Sequence, residues 1–559
     1  MRLLRYLRFL TCFSVLCALV CPGALAAESG NDWWRHAVIY EIYPRSFADS
    51  NGDGIGDLRG IAQHLDYLKE LGIDAIWITP FYPSPQVDFG YDISDYRAID
   101  PQFGTMSDFE YLVSEAQKRD IRVINDLVLN HTSDKHPWFI ESESSRTNPK
   151  ANWYIWADGK PGGGPPNNWQ SIFGHSAWTY VASRQQYYYH AFYPQQPDLN
   201  WRNPEVRRAM YDVARFWMDK GVSGFRLDAI TSLFEDPALR DEPYLKGRNA
   251  YGDRIISRIY TDNLPEVHEV LRELRKVTDE YPGRILIGET YLHNISELAR
   301  MYGPDNNELQ LPMDTQVGFI NKLSIAEFRQ KINDAETKLH PGNVPLFVFE
   351  NHDNPRSLDR YAGGVRNIAI AKLLATLLLA PRDAALIYYG EEIGMMNYGP
   401  LRKEDVQDPI GKIGWPKEKG RDGERTPMQW DDGQDAGFST AAKTWLPVNP
   451  DYKTVNVAAE ERNPDSILNY YKALIRLRKE NAQLRDGEFV LVDANNQNVL
   501  SFLRRTSDGK AAIVLLNFTD KEQSVTHHAK TILASFQAPA EVTEIKLPPY
   551  GAYIGEVME

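Results

Sequence analysis

The sequence predicts an α/β protein built on a (β/α)8 TIM barrel. A small domain is inserted after the third strand, and an antiparallel β domain follows at the C-terminal end. Three observations predict this. Apolar strand-like runs alternate with amphipathic helical stretches over about 450 residues, the pattern of a parallel sheet with crossover helices. Nearly every run begins apolar and ends polar, as expected where the C-terminal strand ends form an active-site face. From about residue 484 the spacing changes to short alternating strands such as "AAIVLLNFTD" and "GAYIGEV".

Taken in order, the strand-like runs are 37–47, 73–80, 121–130, 222–230, 284–292, 344–353 and 384–392, with "LQLPMD" from about 309 as an eighth. Helical periodicity lies between them at 58–72, 207–221 and 265–280. The polar endings are Arg45 and Ser46, Asp126 and Asn130, Arg226 and Asp228, Glu289, His352 and Asp353, and Glu391 and Glu392. One such ending can be a structural polar group. Six on one rim argue for a site. The expected division is a leader (1–26), a first barrel part (27–131), the inserted domain (132–200), a second barrel part (201–483) and the C-terminal β domain (484–559). The inserted segment is rich in Trp, Tyr, Gly, Pro and Asn and is too long for a simple connection.

The chain has 559 residues, 43% of them apolar, enough for a large core and more than one domain. "MRLLRYLRFL", the apolar run from Phe9 to Val20 and "ALA" at 24–26 read as a secretory signal peptide, so a secreted or periplasmic location is expected. An uncleaved N-terminal anchor is the alternative. No later stretch approaches the length of a membrane span. All three cysteines (Cys12, Cys17 and Cys21) fall in that segment, leaving no disulfide, thiol nucleophile or cysteine metal site in the remainder. The net charge of −14 disfavours nucleic acid and anionic membrane and suits a neutral substrate.

Arg226 and Asp228 stand two apart in "VSGFRLDAI", so on a strand they share the face opposite Phe225 and Leu227. That face opens on the pocket at the barrel mouth. Three carboxylates (Asp228, Glu289 and Asp353) end strands there. Hydrolysis of an acetal needs an acid to protonate the leaving oxygen and a carboxylate to capture the oxocarbenium-like centre. Arg226 is expected to hold Asp228 ionised, and the apolar "ILIG" before Glu289 to raise that carboxyl toward general-acid range. His131 and His352 add donors for sugar hydroxyls, and Trp153, Trp156, Trp169, Phe173 and Phe192 offer rings that either stack on sugars or fill a core.

"DLVLNH" (126–131), "GFRLDAI" (224–230), "GETY" (288–291) and "FENHD" (349–353) resemble the four ordered signature regions of the α-amylase superfamily of glycoside hydrolases. "QPDLN" (196–200) is similar to the fifth region of its oligo-1,6-glucosidase and α-glucosidase group. "VIYEIYPRSFADSNGDGIGDLRGI", "DFGYDISDY" and "RTPMQWD" add further matches, so the resemblance covers roughly residues 33–559. It implies a retaining mechanism with Asp228 as nucleophile, Glu289 as acid/base and Asp353 as transition-state stabiliser. It also implies sugar contacts from His131, Arg226 and His352, closure around a terminal glucose by Asp88 and Tyr91, and pocket walls from Phe173, Phe192 and Arg356. Asn354 departs from the common "NHDQ" and leaves fine specificity open. In similar enzymes alanine, threonine or glycine after the nucleophile accompanies α-1,4 cleavage and valine α-1,6, so Ala229 implies the former.

"DSNGDGIGD" (49–57) opens like an EF-hand loop but has Gly60 where the closing glutamate belongs, which by itself favours a solvated turn. The resemblance implies instead one structural Ca2+ held by Asp49, Asn51, Asp53, the Ile55 carbonyl and Asp57, with no organic cofactor. "NHT" (130–132) matches a glycosylation sequon but sits at a strand end facing the site, and is discounted. The leading expectation is an exported exo-acting α-glucosidase acting on maltose and short oligosaccharides. A transglucosylase or sugar isomerase of the trehalose or isomaltulose synthase type shares every motif. A catalytically silent partner subunit is disfavoured by the three acids, as is a carbohydrate-binding module.

Overall fold

The computed structural model describes residues 32–558, except 319, 341, 382 and 383. The expected leader (1–26) and the three cysteines lie outside the described residues. Eight parallel strands close into a barrel: β1 (Val38–Ile42), β2 (Ala75–Ile78), β3 (Arg122–Val128), β4 (Gly224–Asp228), β5 (Ile285–Gly288), β6 (Leu311–Asp314), β7 (Leu346–Val348) and β8 (Ala384–Tyr388). Each pairs with its neighbours in sequence, and β1 meets β8 with Val38 opposite Ala385.

Period-2 alternation sorts the strand residues between two cores. Ile39, Ala75, Trp77, Ile124, Ile285, Ile287, Leu311, Met313, Leu346, Val348, Ala384 and Leu386 fill the barrel, and Trp33 and Trp34 pack at its N-terminal end. Phe225, Leu227 and Leu286 face outward, with Val206, Met210, Ala214 and Trp217 of the helix Pro204–Asp219 in the same layer. Gly224 is required at its place, because a Cβ there would meet the Ile285 carbonyl oxygen at 2.4 Å.

Two expected elements differ. The helix over 58–72 is two helices, Leu58–Gln63 and Leu65–Leu71, broken at His64. The His64 ring stacks on Trp430 at 3.8 Å and its Nδ1 bonds the Gly60 carbonyl, a tertiary contact that overrides the periodicity. The first strand stops at Ile42, and Pro44–Phe47 forms a helical turn.

The segment after β3 carries a helix (Pro137–Ser144) and a three-stranded antiparallel sheet (Trp156–Ala157, Gln186–Tyr189, Trp178–Val181) around Trp169 and Trp178. A second excursion, after β4, adds an unexpected hairpin of Tyr244–Arg248 and Arg254–Ile256. Beyond the helix Ile467–Glu480 a six-stranded antiparallel sheet begins at Glu488. Among the described residues no helix is long and apolar enough to cross a membrane.

Candidate active site

A pocket of ≈ 430 Å³ opens at the C-terminal ends of the strands. Asp228, Glu289 and Asp353 line it together with Asp88, Tyr91, His131, Phe173, Phe192, Ala229 and Arg421. Alternation aims Asp228 inward from the end of β4, and Glu289 and Asp353 follow β5 and β7. The acids are 61 and 125 residues downstream of Asp228 in sequence and meet only because the barrel closes.

Arg226 is fully buried at the centre. Its Nη1 donates to Asp228 at 2.6 Å and to Asp126 at 3.0 Å, and its Nη2 donates to Glu289. The Trp77 ring lies 4.8 Å beneath the guanidinium, and the Trp77 indole donates to Asp126. Glu289 also accepts the Ala229 N–H at 2.9 Å. Ala229 adopts φ 47°, which directs that N–H to Glu289. Two carboxyl groups sharing one guanidinium fork suit the short separation, about 5–5.5 Å, of retaining glycosidases.

Burial pushes both Asp228 and Glu289 up to about 7, with Arg226 opposing it. Burial likewise lifts Asp126 to about 6. Arg226 thus lowers the Asp228 pKa, as expected, but burial outweighs it. One guanidinium serves three buried carboxyls, so the group retains a proton near neutrality. That is the state a reaction needing one acid and one carboxylate requires. Asp353 behaves oppositely. Against burial, the His352 ring and the Arg421 and Arg425 guanidiniums hold it well below the usual carboxylate range. Arg421 Nη1 and Arg425 Nη2 each donate to Asp353 Oδ1 at 2.8 Å.

The remaining expected residues form a connected wall. Tyr91 stacks on His352 at 5.3 Å, and its hydroxyl meets His352 Nε2 at 2.7 Å and Asp126 at 3.1 Å. His352 Nδ1 is held by the buried Glu41 at 2.6 Å. His131 Nε2 meets the Tyr91 carbonyl and Gln196 Nε2, each at 3.1 Å. Phe192 lies beside His131 and Phe173. Asp88 accepts from Arg421 at 2.7 Å and from Gln196 at 3.1 Å. Asn130 is buried and donates to Asp198, which leaves its amide inside the protein.

Arg226, His352 and Arg356 stand behind the lining rather than on it, and of the three Arg356 alone bonds none of the three acids: fully buried, it donates to Glu350, the Tyr389 carbonyl and the Glu424 carbonyl. A buried guanidinium needs such partners, and they hold it behind the wall. Sequence reasoning missed Arg421, Glu41 and the hub role of Asp126. Asp126 lay within a quoted motif. Arg421 sits in an irregular stretch after β8 with no periodicity to mark it.

The loop 49–57 turns on itself. Asp49 accepts N–H groups of Asn51, Gly52 and Gly54 and the Ser439 hydroxyl, while Asn51 and Asp53 accept from Asp53 and Ile55. Asp57 caps the helix Leu58–Gln63 through the Gly60 N–H and binds Ser50. Among the described residues no three His, Cys, Asp or Glu side chains are grouped so that they could hold a metal. The side chains expected for Ca2+ thus also brace the loop's own turn.

The comparisons agree with this geometry. Residues 41–487 match the family described as alpha amylase, catalytic domain. A "Probable alpha-glucosidase" of Rhizobium meliloti (strain 1021) is 43% identical over 544 residues, spanning 95% of this chain and 98% of that protein. An oligo-1,6-glucosidase of Parageobacillus thermoglucosidasius is 41% identical, spanning 94% and 99%. Among solved structures, a trehalulose synthase from Pseudomonas mesoacidophila MX-45 superposes with a TM-score of 0.87 at 36% identity, covering 96% of this chain and 100% of that one. With three acids around one buried arginine at the mouth of a (β/α)8 barrel, and likeness of this extent, the chain belongs to the α-amylase family of glycoside hydrolases.

Proposed function

We propose that this glycoside hydrolase is an exported, exo-acting, retaining α-glucosidase that releases non-reducing terminal glucose from maltose and short oligosaccharides. The observation that carries the reading is the bridge beside the acids: Arg421 donates to both Asp88 and Asp353 and stands 5.7 Å over the Phe173 ring, and a cross-link of this kind supports a pocket shaped for a terminal sugar.

In this mechanism the Asp228 carboxylate attacks the anomeric carbon while protonated Glu289 gives its proton to the glycosidic oxygen, and that C–O bond breaks. A glucosyl ester on Asp228 results. Glu289, now ionised, takes a proton from water, whose oxygen attacks the same carbon and frees Asp228. Arg226 offsets the negative charge at both carboxyls throughout. Asp353, held ionised, stabilises the positive charge that develops on the sugar.

Ala229 lines the pocket directly after the nucleophile, and its small side chain supports an α-1,4 preference. Export is supported by the arginine-rich start, apolar run and "ALA" of residues 1–26. Calcium at residues 49–57 is supported by the donors at alternate positions. Incubation with maltose, isomaltose, sucrose and trehalose, followed by NMR of the products, tests the reading. Glucose released first as the α-anomer is the expected result, and inversion to β overturns it. The likeness to a trehalulose synthase favours transfer as the second reading, which the same spectra detect as new disaccharides.

A further inference from the structure

Between β4 and the helix Val267–Asp279 the chain leaves the barrel, forms the exposed hairpin and returns across the pocket. The returning segment lays Arg258, Thr261 and Asp262 on the lining, and none of the three is bonded to the Asp88–Arg421–Asp353 bridge. Arg258 takes a left-handed conformation (φ 58°), which a non-glycine residue keeps only where its surroundings enforce it.

The enforcing group is Glu242. It is 2% exposed, and the carboxylate hydrogen bonds it makes all go to this one segment. Oε2 accepts from the Ser257 hydroxyl at 2.9 Å and the Ile259 N–H at 3.0 Å. Oε1 accepts from the Tyr260 N–H at 2.7 Å and the Thr261 hydroxyl at 3.4 Å. The inserted domain grips Glu242 from the other side. The Asn168 side-chain amide accepts its backbone N–H at 2.7 Å and donates to its carbonyl at 2.9 Å. Arg258 closes the circuit by donating to the Ser171 carbonyl at 2.9 Å, and the Ser171 hydroxyl accepts the Phe173 N–H and donates to the Phe192 carbonyl.

We propose that Glu242 is a positioning residue for the acceptor side of the pocket. It fixes the segment 257–261 so that Arg258, Thr261 and Asp262 meet the departing sugar, or the sugar that accepts glucose in transfer. A residue without acceptor oxygens there frees the segment and weakens use of sugar leaving groups without altering attack by Asp228. The inference rests on the glucosidase reading of the pocket.

The test compares two donors, maltose and α-glucosyl fluoride, whose fluoride fills no sugar subsite. Displacements on the scale of an ångström can cost up to about 100-fold. Glu242→Ala should therefore lower kcat/KM for maltose by about ten-fold or more relative to the fluoride. Glu242→Gln, which keeps one acceptor oxygen, should recover part of the loss, and Arg258→Ala should show the same split should Glu242→Ala fail to fold. Equal losses on both donors, or none on maltose, overturn the positioning role. Wild type inert toward both donors overturns the glucosidase reading instead.

Discussion

Ala229→Val places a β-branched side chain directly after Asp228, and two effects follow from where Ala229 sits. Its backbone is left-handed, at φ 47° and ψ 37°. Strained backbone of this kind costs on the order of 1–3 kcal/mol, and β-branched residues tolerate it least, so the variant should lose about 1 kcal/mol or more of stability. The second effect is on the substrate. Ala229 lines the pocket, and its N–H holds Glu289 at 2.9 Å. Two added methyl groups crowd one orientation of the leaving sugar, and such differences are worth about 1–3 kcal/mol, or roughly 10–200-fold. The ratio of isomaltose to maltose kcat/KM should rise within that range, with a modest fall in melting temperature. The assay is steady-state kinetics on both disaccharides below pH 7 with glucose detection. A variant whose ratio equals that of wild type refutes the shape argument, and wild type that prefers isomaltose refutes the α-1,4 assignment.

Asp228→Asn should reduce maltose turnover by several orders of magnitude with the fold intact by circular dichroism. Glu289→Gln should spare a nitrophenyl glucoside, whose leaving group needs little protonation, more than it spares maltose. Because burial pushes Glu289 and Asp228 up to about 7, kcat/KM for maltose should fall as pH rises through that value and the shared proton is lost. The same shift has a stability sign. A folded-state pKa raised above the unfolded value contributes stability that is fully present below about pH 4 and lost as pH rises toward 7. The melting temperature of Glu289→Gln should accordingly gain on wild type between those values, measured by calorimetry. If Ca2+ binds at residues 49–57, a chelator should lower the melting temperature without moving the pH profile; an unchanged melting temperature with no metal by elemental analysis favours the self-satisfied turn.

Whatever is periodic or adjacent along the chain was determined by the sequence itself. The alternation in "GFRLD" put Arg226 and Asp228 on one face, and the polar strand endings placed Asp228, Glu289 and Asp353 on one rim, because strand geometry and parallel connectivity are local rules. Tertiary structure decided what depends on barrel closure and on chain without periodicity. Asp88 meets Arg421 across 333 residues, His352 finds Glu41 across 311, and His64 breaks its helix to stack on Trp430. Arg356, expected in the pocket, turns to Glu350 because a buried charge goes where a partner is. The protonation of the site was decided at the same level. An arginine two residues away reads as a counter-ion for one aspartate, but the closed barrel makes Arg226 serve three buried carboxyls, and desolvation then outweighs its single charge.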